Sequence, residues 1–159
     1  MILIAAVTVT SAEARRRGHR IHTNYHGVAS VVPTDWTLQP PEPNWHGRRY
    51  ISPESDAWLA LYKTPADASV AAHMKSVAFV EGEEITYLRR EKDWIVVSGY
   101  KDDRIFYRKA MLACGNQSWH HVAFEYPAFK KRAFDRLVTR TSRALELHEN
   151  DGCSVSAER

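Results

Sequence analysis

Glu84-Ile-Thr-Tyr-Leu-Arg-Arg-Glu91, Asp93-Trp-Ile-Val-Val-Ser-Gly-Tyr100, Asp103-Arg-Ile-Phe-Tyr-Arg-Lys-Ala-Met-Leu-Ala-Cys114 and Gln117-Ser-Trp-His-His-Val-Ala-Phe-Glu-Tyr126 follow one another with breaks of one or two residues. β-Branched and aromatic residues dominate all four runs, as a pleated and half-buried surface requires. Breaks this short admit only antiparallel hairpins, because a parallel return needs a crossover of a dozen residues or more. Gly115-Asn116 reads as a two-residue hairpin turn, since both residue types accept positive φ. The block is therefore a four-stranded meander.

The two faces of these strands set the architecture. Trp94, Val96, Ser98 and Tyr100 alternate with Ile95, Val97 and Gly99, while Ile105, Tyr107 and Met111 oppose Phe106, Ala110 and Leu112. Both faces are apolar, whereas an antiparallel sheet wet on one side shows polar residues at alternate positions. Each face needs a cover, and two helices supply it. The first is expected over Pro65–Phe79, capped by Thr64 or Asp67, with a stripe of Val70, Met74 and Val77 or Ala78. The second is expected from Pro127, a favoured first-turn residue, to Leu147. Its Phe134, Leu137, Val138, Thr141 and Leu145 recur at helical spacing. Ser98 and Gly99 are small, and are read as making room for a helix.

Working outward, Gly27-Val-Ala-Ser-Val-Val-Pro33 reads as an opening strand, followed by the turn Thr34-Asp35 and Trp36. Leu38–Trp45 holds Pro40, Pro41 and Pro43 and reads as an extended loop. Arg48–Ser52 and Asp56–Tyr62 form a hairpin around Ser52-Pro-Glu-Ser55. The expected fold is α+β: an antiparallel sheet of six to seven strands in the order βββ-α-ββββ-α, with a helix on each face. Residues 25–147 make one domain, residues 15–24 a basic linker and residues 148–159 a flexible tail.

At 159 residues and a formal charge of +3, the chain has the size and balance of an ordinary single globular domain. Met1–Ala14 joins a short apolar run to Ala12-Glu13-Ala14, the small-x-small pattern of a signal-peptidase site, and reads as a signal-peptide remnant. It lacks the basic n-region, so an edge strand or tail in a cytoplasmic protein is the alternative. No stretch is long enough to span a bilayer. In a periplasmic or secreted protein, Cys114 and Cys153 are free to pair; two separate thiols are the other reading.

The Val28-Ala-Ser-Val-Val-Pro-Thr-Asp-Trp36 strand and stop, the Arg49-Tyr-Ile-Ser52 to Leu59-Ala-Leu-Tyr62 hairpin and the meander with its closing helix resemble the PsbP-like superfamily, an antiparallel sheet between helices. The resemblance covers residues 25–147. Ile95-Val-Val-Ser-Gly-Tyr100, Asp103-Arg-Ile-Phe-Tyr-Arg-Lys109 and Phe124-Glu-Tyr-Pro127 are similar to phrases in exported proteins of soil α-proteobacteria. The resemblance implies a binding or assembly module rather than an enzyme, and carries no site residue by residue.

Candidate chemistry is sparse. His19, His22 and His26 would share a face only on a helix, and no acidic or thiol ligand lies beside them, so no metal site is assigned. His120 and His121 sit mid-strand and point to opposite faces; a small hydrolase using one of them is the enzymatic alternative. Ser98 lacks the glycine two residues upstream that a nucleophile elbow needs, so no catalytic residue is named. No cofactor fingerprint is present. Asn116-Gln-Ser118 matches a glycosylation sequon, of consequence only in a eukaryotic secretory pathway. Trp36, Trp45 and Tyr50, gathered with prolines, are the expected surface for a protein or envelope partner. Lys130, Lys131, Arg136, Arg140 and Arg143 on the last helix, with Arg89, Arg90, Arg104, Arg108 and Lys109 of the meander and Tyr87, Tyr100 and Tyr107 interleaved, are the alternative surface, for an anionic partner; a solvated helix face and paired strand charges are the other reading. Nucleic acid is disfavoured because acids are interspersed among the bases.

Overall fold

The computed structural model describes residues 19–23, 27–147 and 153. The signal-peptide reading of residues 1–14, His26 and the tail apart from Cys153 fall outside the described residues. Among the described residues nine strands form: β1 (His19–Thr23), β2 (Ala29–Pro33), β3 (Thr37–Leu38), β4 (Gly47–Ile51), β5 (Trp58–Pro65), β6 (Glu84–Arg90), β7 (Trp94–Lys101), β8 (Arg104–Ala113) and β9 (Ser118–Pro127). Two helices, α1 (Val70–Ala78) and α2 (Lys131–Leu147), complete the domain, with a 3-10 turn at Ala128–Lys130 before α2.

Seven strands make one antiparallel sheet in the order β3-β4-β5-β9-β8-β7-β6. The meander closes as expected, and β9 then pairs with β5 from Trp58↔Glu125 to Pro65↔Ser118. That pairing joins the two halves of the chain. Cores form on both faces. Leu59, Leu61, Ile105, Val122 and Phe124 meet Val138 and Leu145 of α2. Ile95, Val97, Phe106, Ala110 and Trp119 meet Met74, Val77 and Ala78 of α1. The α+β sheet with a helix on each face is thus observed.

Four local features differ from expectation. First, the opening strand lies outside the large sheet. β2 pairs with β1 in a separate two-stranded sheet, from His19↔Pro33 to Thr23↔Ala29, so part of the expected linker is a strand and not a helix. β2 packs on α2 instead. The Ser30 hydroxyl donates to the Thr141 carbonyl at 2.7 Å, and the Thr141 hydroxyl donates to the Val31 carbonyl at 2.9 Å. Two buried hydroxyls thereby satisfy each other's neighbourhoods at an otherwise apolar contact. Second, α1 begins at Val70, because β5 runs on through Pro65. Ser69 is its cap, accepting from the Ala72 N–H at 3.1 Å, in place of Thr64 or Asp67, and Val70 itself is exposed.

Third, Gly115-Asn116 sits in a longer turn. Ala113 pairs with Ser118, and Cys114, Gly115 and Asn116 all have positive φ (54°, 63° and 66°). Pro127 ends β9, so α2 starts four residues later than Pro127 suggests. Fourth, Gly99 makes room for a strand, not a helix. A Cβ there would lie 1.9 Å from the Glu84 carbonyl oxygen, where the β6–β7 register shifts between Ile85 and Tyr87. β6 crosses β7 too closely at this bulge for any side chain.

Candidate functional site

The expected surface of three aromatics does not form. Trp36 is 8% exposed and Tyr50 is fully buried; both belong to the α2-side core. Trp36 meets Phe134 edge-on at 6.1 Å, and Phe134 stacks on Tyr126 at 4.5 Å. Trp45 is half-buried beside Tyr62, its ring lying over the backbone of Gly47. The prolines deny this loop regular pairing, but its large rings still gain most by leaving water. Leu38 pairs with Tyr50, and the Gln39 N–H donates to the Arg49 carbonyl at 2.8 Å, which folds the loop back onto β4.

The basic residues of the last helix are likewise divided by packing. Lys130 pairs with Glu54 and with Asp56, which holds the lysine above its ordinary pKa and lowers that of Asp56. Lys131 pairs with Asp135 at 2.9 Å. Arg136, Arg140 and Arg143 lie exposed along α2.

His120 and His121 point to opposite faces, as strand alternation demands, and are 1% and 3% exposed. The hydrolase alternative needs a histidine lining a cleft beside a nucleophile or carboxylate; neither ring meets that condition. His121 stacks on Tyr62 at 4.3 Å and shares a 2.9 Å hydrogen bond with the Thr64 hydroxyl. Across the same layer His73 of α1 stacks on Trp119 at 4.4 Å. Burial, reinforced by His73 and His120, holds His121 well below its usual range. Burial and then the Lys63 charge lower His120 to about 4. Both rings are therefore neutral packing groups near neutral pH. Cys114 and Cys153 form a disulfide with Cα atoms 5.3 Å apart, tying the chain beyond α2 to the β8–β9 turn. Among the described residues no group of three or more His, Cys, Asp or Glu is placed to hold a metal. No described helix is long and apolar enough to cross a membrane.

Among the described residues two grooves flank β6, one on each face of the sheet, and one cause produces both. Seven strands at about 4.8 Å spacing make a sheet about 29 Å wide, far wider than a helix about 10 Å across. α1 packs on β7 and β8, and α2 on β8, β9 and β2, so both leave β6 uncovered. Leu88 and Arg90 of β6 consequently face one groove, and Tyr87 and Arg89 the other. The α1-side groove, about 500 Å³, is lined by Met74, Lys75, Phe79, Leu88, Arg90 and Ile95. The α2-side groove, about 400 Å³, is lined by residues that include Arg89, Trp94, Tyr107, Lys109, Ser142 and Arg143. Sequence reasoning gives neither groove, although Arg89, Lys109, Tyr87 and Tyr107 of the second belong to the basic, tyrosine-interleaved surface expected on the meander. The one available signal was β6 itself, whose two faces carry apolar and basic residues together.

No protein-family model matches the chain, and no curated protein sequence matches it. Solved structures do. Cyanobacterial PsbP (CyanoP) from Synechocystis sp. PCC 6803 superposes with a TM-score of 0.59 at 10% identity, over 86% of this chain and 96% of that one. The fold is PsbP-like. The Ran-binding protein Mog1p of Saccharomyces cerevisiae gives a TM-score of 0.56 at 8% identity, over 80% of this chain and 94% of its own. At such identities a PsbP-like fold transfers architecture alone, and the site must be argued from its residues.

Proposed function

We propose that this protein is a small exported module, without catalytic activity, that binds a protein partner or other envelope component through the α1–β6 groove. One observation carries the reading: exposed apolar side chains are concentrated there. Phe79 is 64% exposed and Leu88, which lines the same groove, is 43% exposed, with Val80 open to solvent directly after Phe79. A cluster of this kind rimmed by charge marks an interaction surface on a soluble domain. Lys75 and Arg90 form part of the rim, which suits a partner segment with apolar anchors and acidic flanks. The charges and bulge of β6 guard its free edge against pairing with other strands, leaving the groove rather than the edge as the docking feature. That Mog1p is a Ran-binding protein supports a protein partner by analogy of fold.

Export rests on Ala12-Glu13-Ala14 and on a disulfide of the sort that persists in oxidising compartments. The test is site-specific photocrosslinking in cells, with the reactive group placed at Phe79 and, as a control, at the exposed Phe129. A discrete adduct from Phe79, abolished by Leu88→Asp and absent from Phe129, is expected. Equal labelling from both positions, or none, overturns the docking site. Mass spectrometry of the mature protein should find Arg15 at its start; an intact Met1 on cytosolic protein overturns export.

A further inference from the structure

The turn that opens the α1–β6 groove carries a segment of the kind the groove accepts. α1 ends at Ala78 and β6 starts at Glu84. Between them, Phe79-Val80-Glu81 presents two apolar side chains and an acid: Phe79 is 64% and Val80 45% exposed, and Glu81 is exposed as well. The segment is held on both sides. The Phe79 N–H donates to the Lys75 carbonyl at 3.1 Å, and the Glu83 N–H donates to the Val80 carbonyl at 3.4 Å. Arg108 bonds the Val77 carbonyl before the segment and both carboxylate oxygens of Glu83 after it. An anchor fixed in this way loses little conformational freedom on docking.

The groove beside it matches that segment in both apolar surface and charge. Met74, Ala78, Leu88 and Ile95 line it, and Lys75 and Arg90 supply positive charge. Among the described residues no ion pair takes up Lys75, Arg90 or Glu81, so all three are open to an outside partner. The chain reverses between Ala78 and Glu84. Phe79 therefore lies at one end of the groove, and Arg90, the last residue of β6, at the other. A two-fold axis through the middle of the groove exchanges those ends. Phe79 of each copy then meets the other copy's Leu88, and Glu81 the other's Arg90. A two-fold contact requires one patch that holds both halves of the match; here the knob, the groove, the acid and the bases all lie on one patch. Resting on the groove as the docking site proposed above, we infer that its occupant is the Phe79–Glu81 turn of a second copy of this chain, in a two-fold symmetric dimer. The groove is small for a stable interface, so the dimer is weak, with Kd of about 100 µM.

The test is sedimentation velocity of the disulfide-intact protein from about 10 µM to about 1 mM. A shift from monomer towards dimer is expected over that range. Phe79→Ser, at an exposed position, should weaken association about tenfold or more without lowering Tm. Glu81→Arg alone and Arg90→Glu alone should each do the same, because like charges then face one another across the axis. Mixed in equal amounts, those two variants should associate about as tightly as the natural chain, since each acid again meets a base. A monomer at about 1 mM overturns the inference. So does a dimer that Phe79→Ser leaves intact, or a mixture of the charge variants that stays monomeric. A purified monomer whose Phe79 crosslinks a different protein in cells removes self-association and leaves the groove as a docking site; a monomer with no adduct removes both.

Discussion

Arg108 is the most informative residue to perturb. It lies on the α1 face of β8, and its guanidinium ties three separate pieces of chain together. Two charge-assisted bonds of 2.7 Å reach both oxygens of Glu83, and a third bond of 2.9 Å goes to the Val77 carbonyl at the end of α1. The same group lies over the Phe106 ring at 4.5 Å. Arg108 thereby satisfies a carbonyl that α1 leaves unpaired at its C-terminus and anchors the turn into β6. The Glu83 side chain is only 6% exposed, so removing the arginine strands a carboxylate that water barely reaches. Breaking such a pair costs about 3–5 kcal/mol, and for a domain of this length each kcal/mol lowers Tm by about 2–4 °C. Arg108→Met should therefore lower Tm by about 10 °C, read by urea and thermal unfolding of the disulfide-intact protein with tryptophan fluorescence. Adding Glu83→Leu to Arg108→Met should recover part of the loss, since no charge is then left buried, giving a coupling of about 1–3 kcal/mol in the double-mutant cycle. A loss below about 1 kcal/mol in the single variant, or strictly additive effects, would refute the reasoning and demote the pair to a surface ion pair.

Three further outcomes follow from the packing. Reducing the Cys114–Cys153 bridge opens a loop with a sequence separation of 39, which loop-closure entropy values at up to about 4 kcal/mol; dithiothreitol should lower the urea midpoint, and the unreduced protein should show no free thiol by Ellman titration. Burial lowers His120 from its ordinary value of 6.5 to about 4 in the folded protein, and holds His121 well below its ordinary value in the same direction. The unfolded chain then binds more protons between those values, so stability should fall as pH drops from about 6.5 towards about 4, at up to about 1.4 kcal/mol per pH unit for each histidine. His120→Gln should flatten that slope in pH-dependent urea titrations, and an unchanged slope would count against it. Gly99→Ala should cost about 1–3 kcal/mol and remove hydrogen-exchange protection selectively from β6, because its methyl group meets the Glu84 carbonyl.

Much of this fold was legible before any coordinates. Alternating apolar runs joined by breaks too short for a crossover leave only an antiparallel meander, and apolar residues on both of its faces demand two covers. The α2 stripe at Phe134, Leu137, Val138, Thr141 and Leu145 follows from the same burial logic. The errors share a cause. Val28-Ala-Ser-Val-Val reads like any sheet strand, but whether it joins the large sheet depends on a partner, and that partner is the basic stretch at His19–Thr23, which has no strand pattern. Trp36 and Tyr50 looked exposed because prolines surround them, although prolines restrict backbone pairing and say nothing about where a ring goes. The Gly99 side chain was missing for the sake of a β-bulge, a feature set by pairing between strands and not by composition.

The candidate sites belong wholly to that second level. A sequence determines periodicity, and periodicity determines which residues leave water, since burial is a property each strand and helix seeks on its own. Which strands a helix then covers is a competition among all the elements at once. Here two helices settled over the middle of a seven-stranded sheet and left β6 bare on both sides. Tertiary packing alone decided that Lys109, Arg89 and Arg143, separated by up to 54 positions in the chain, would share one groove, and that Cys153 would reach Cys114.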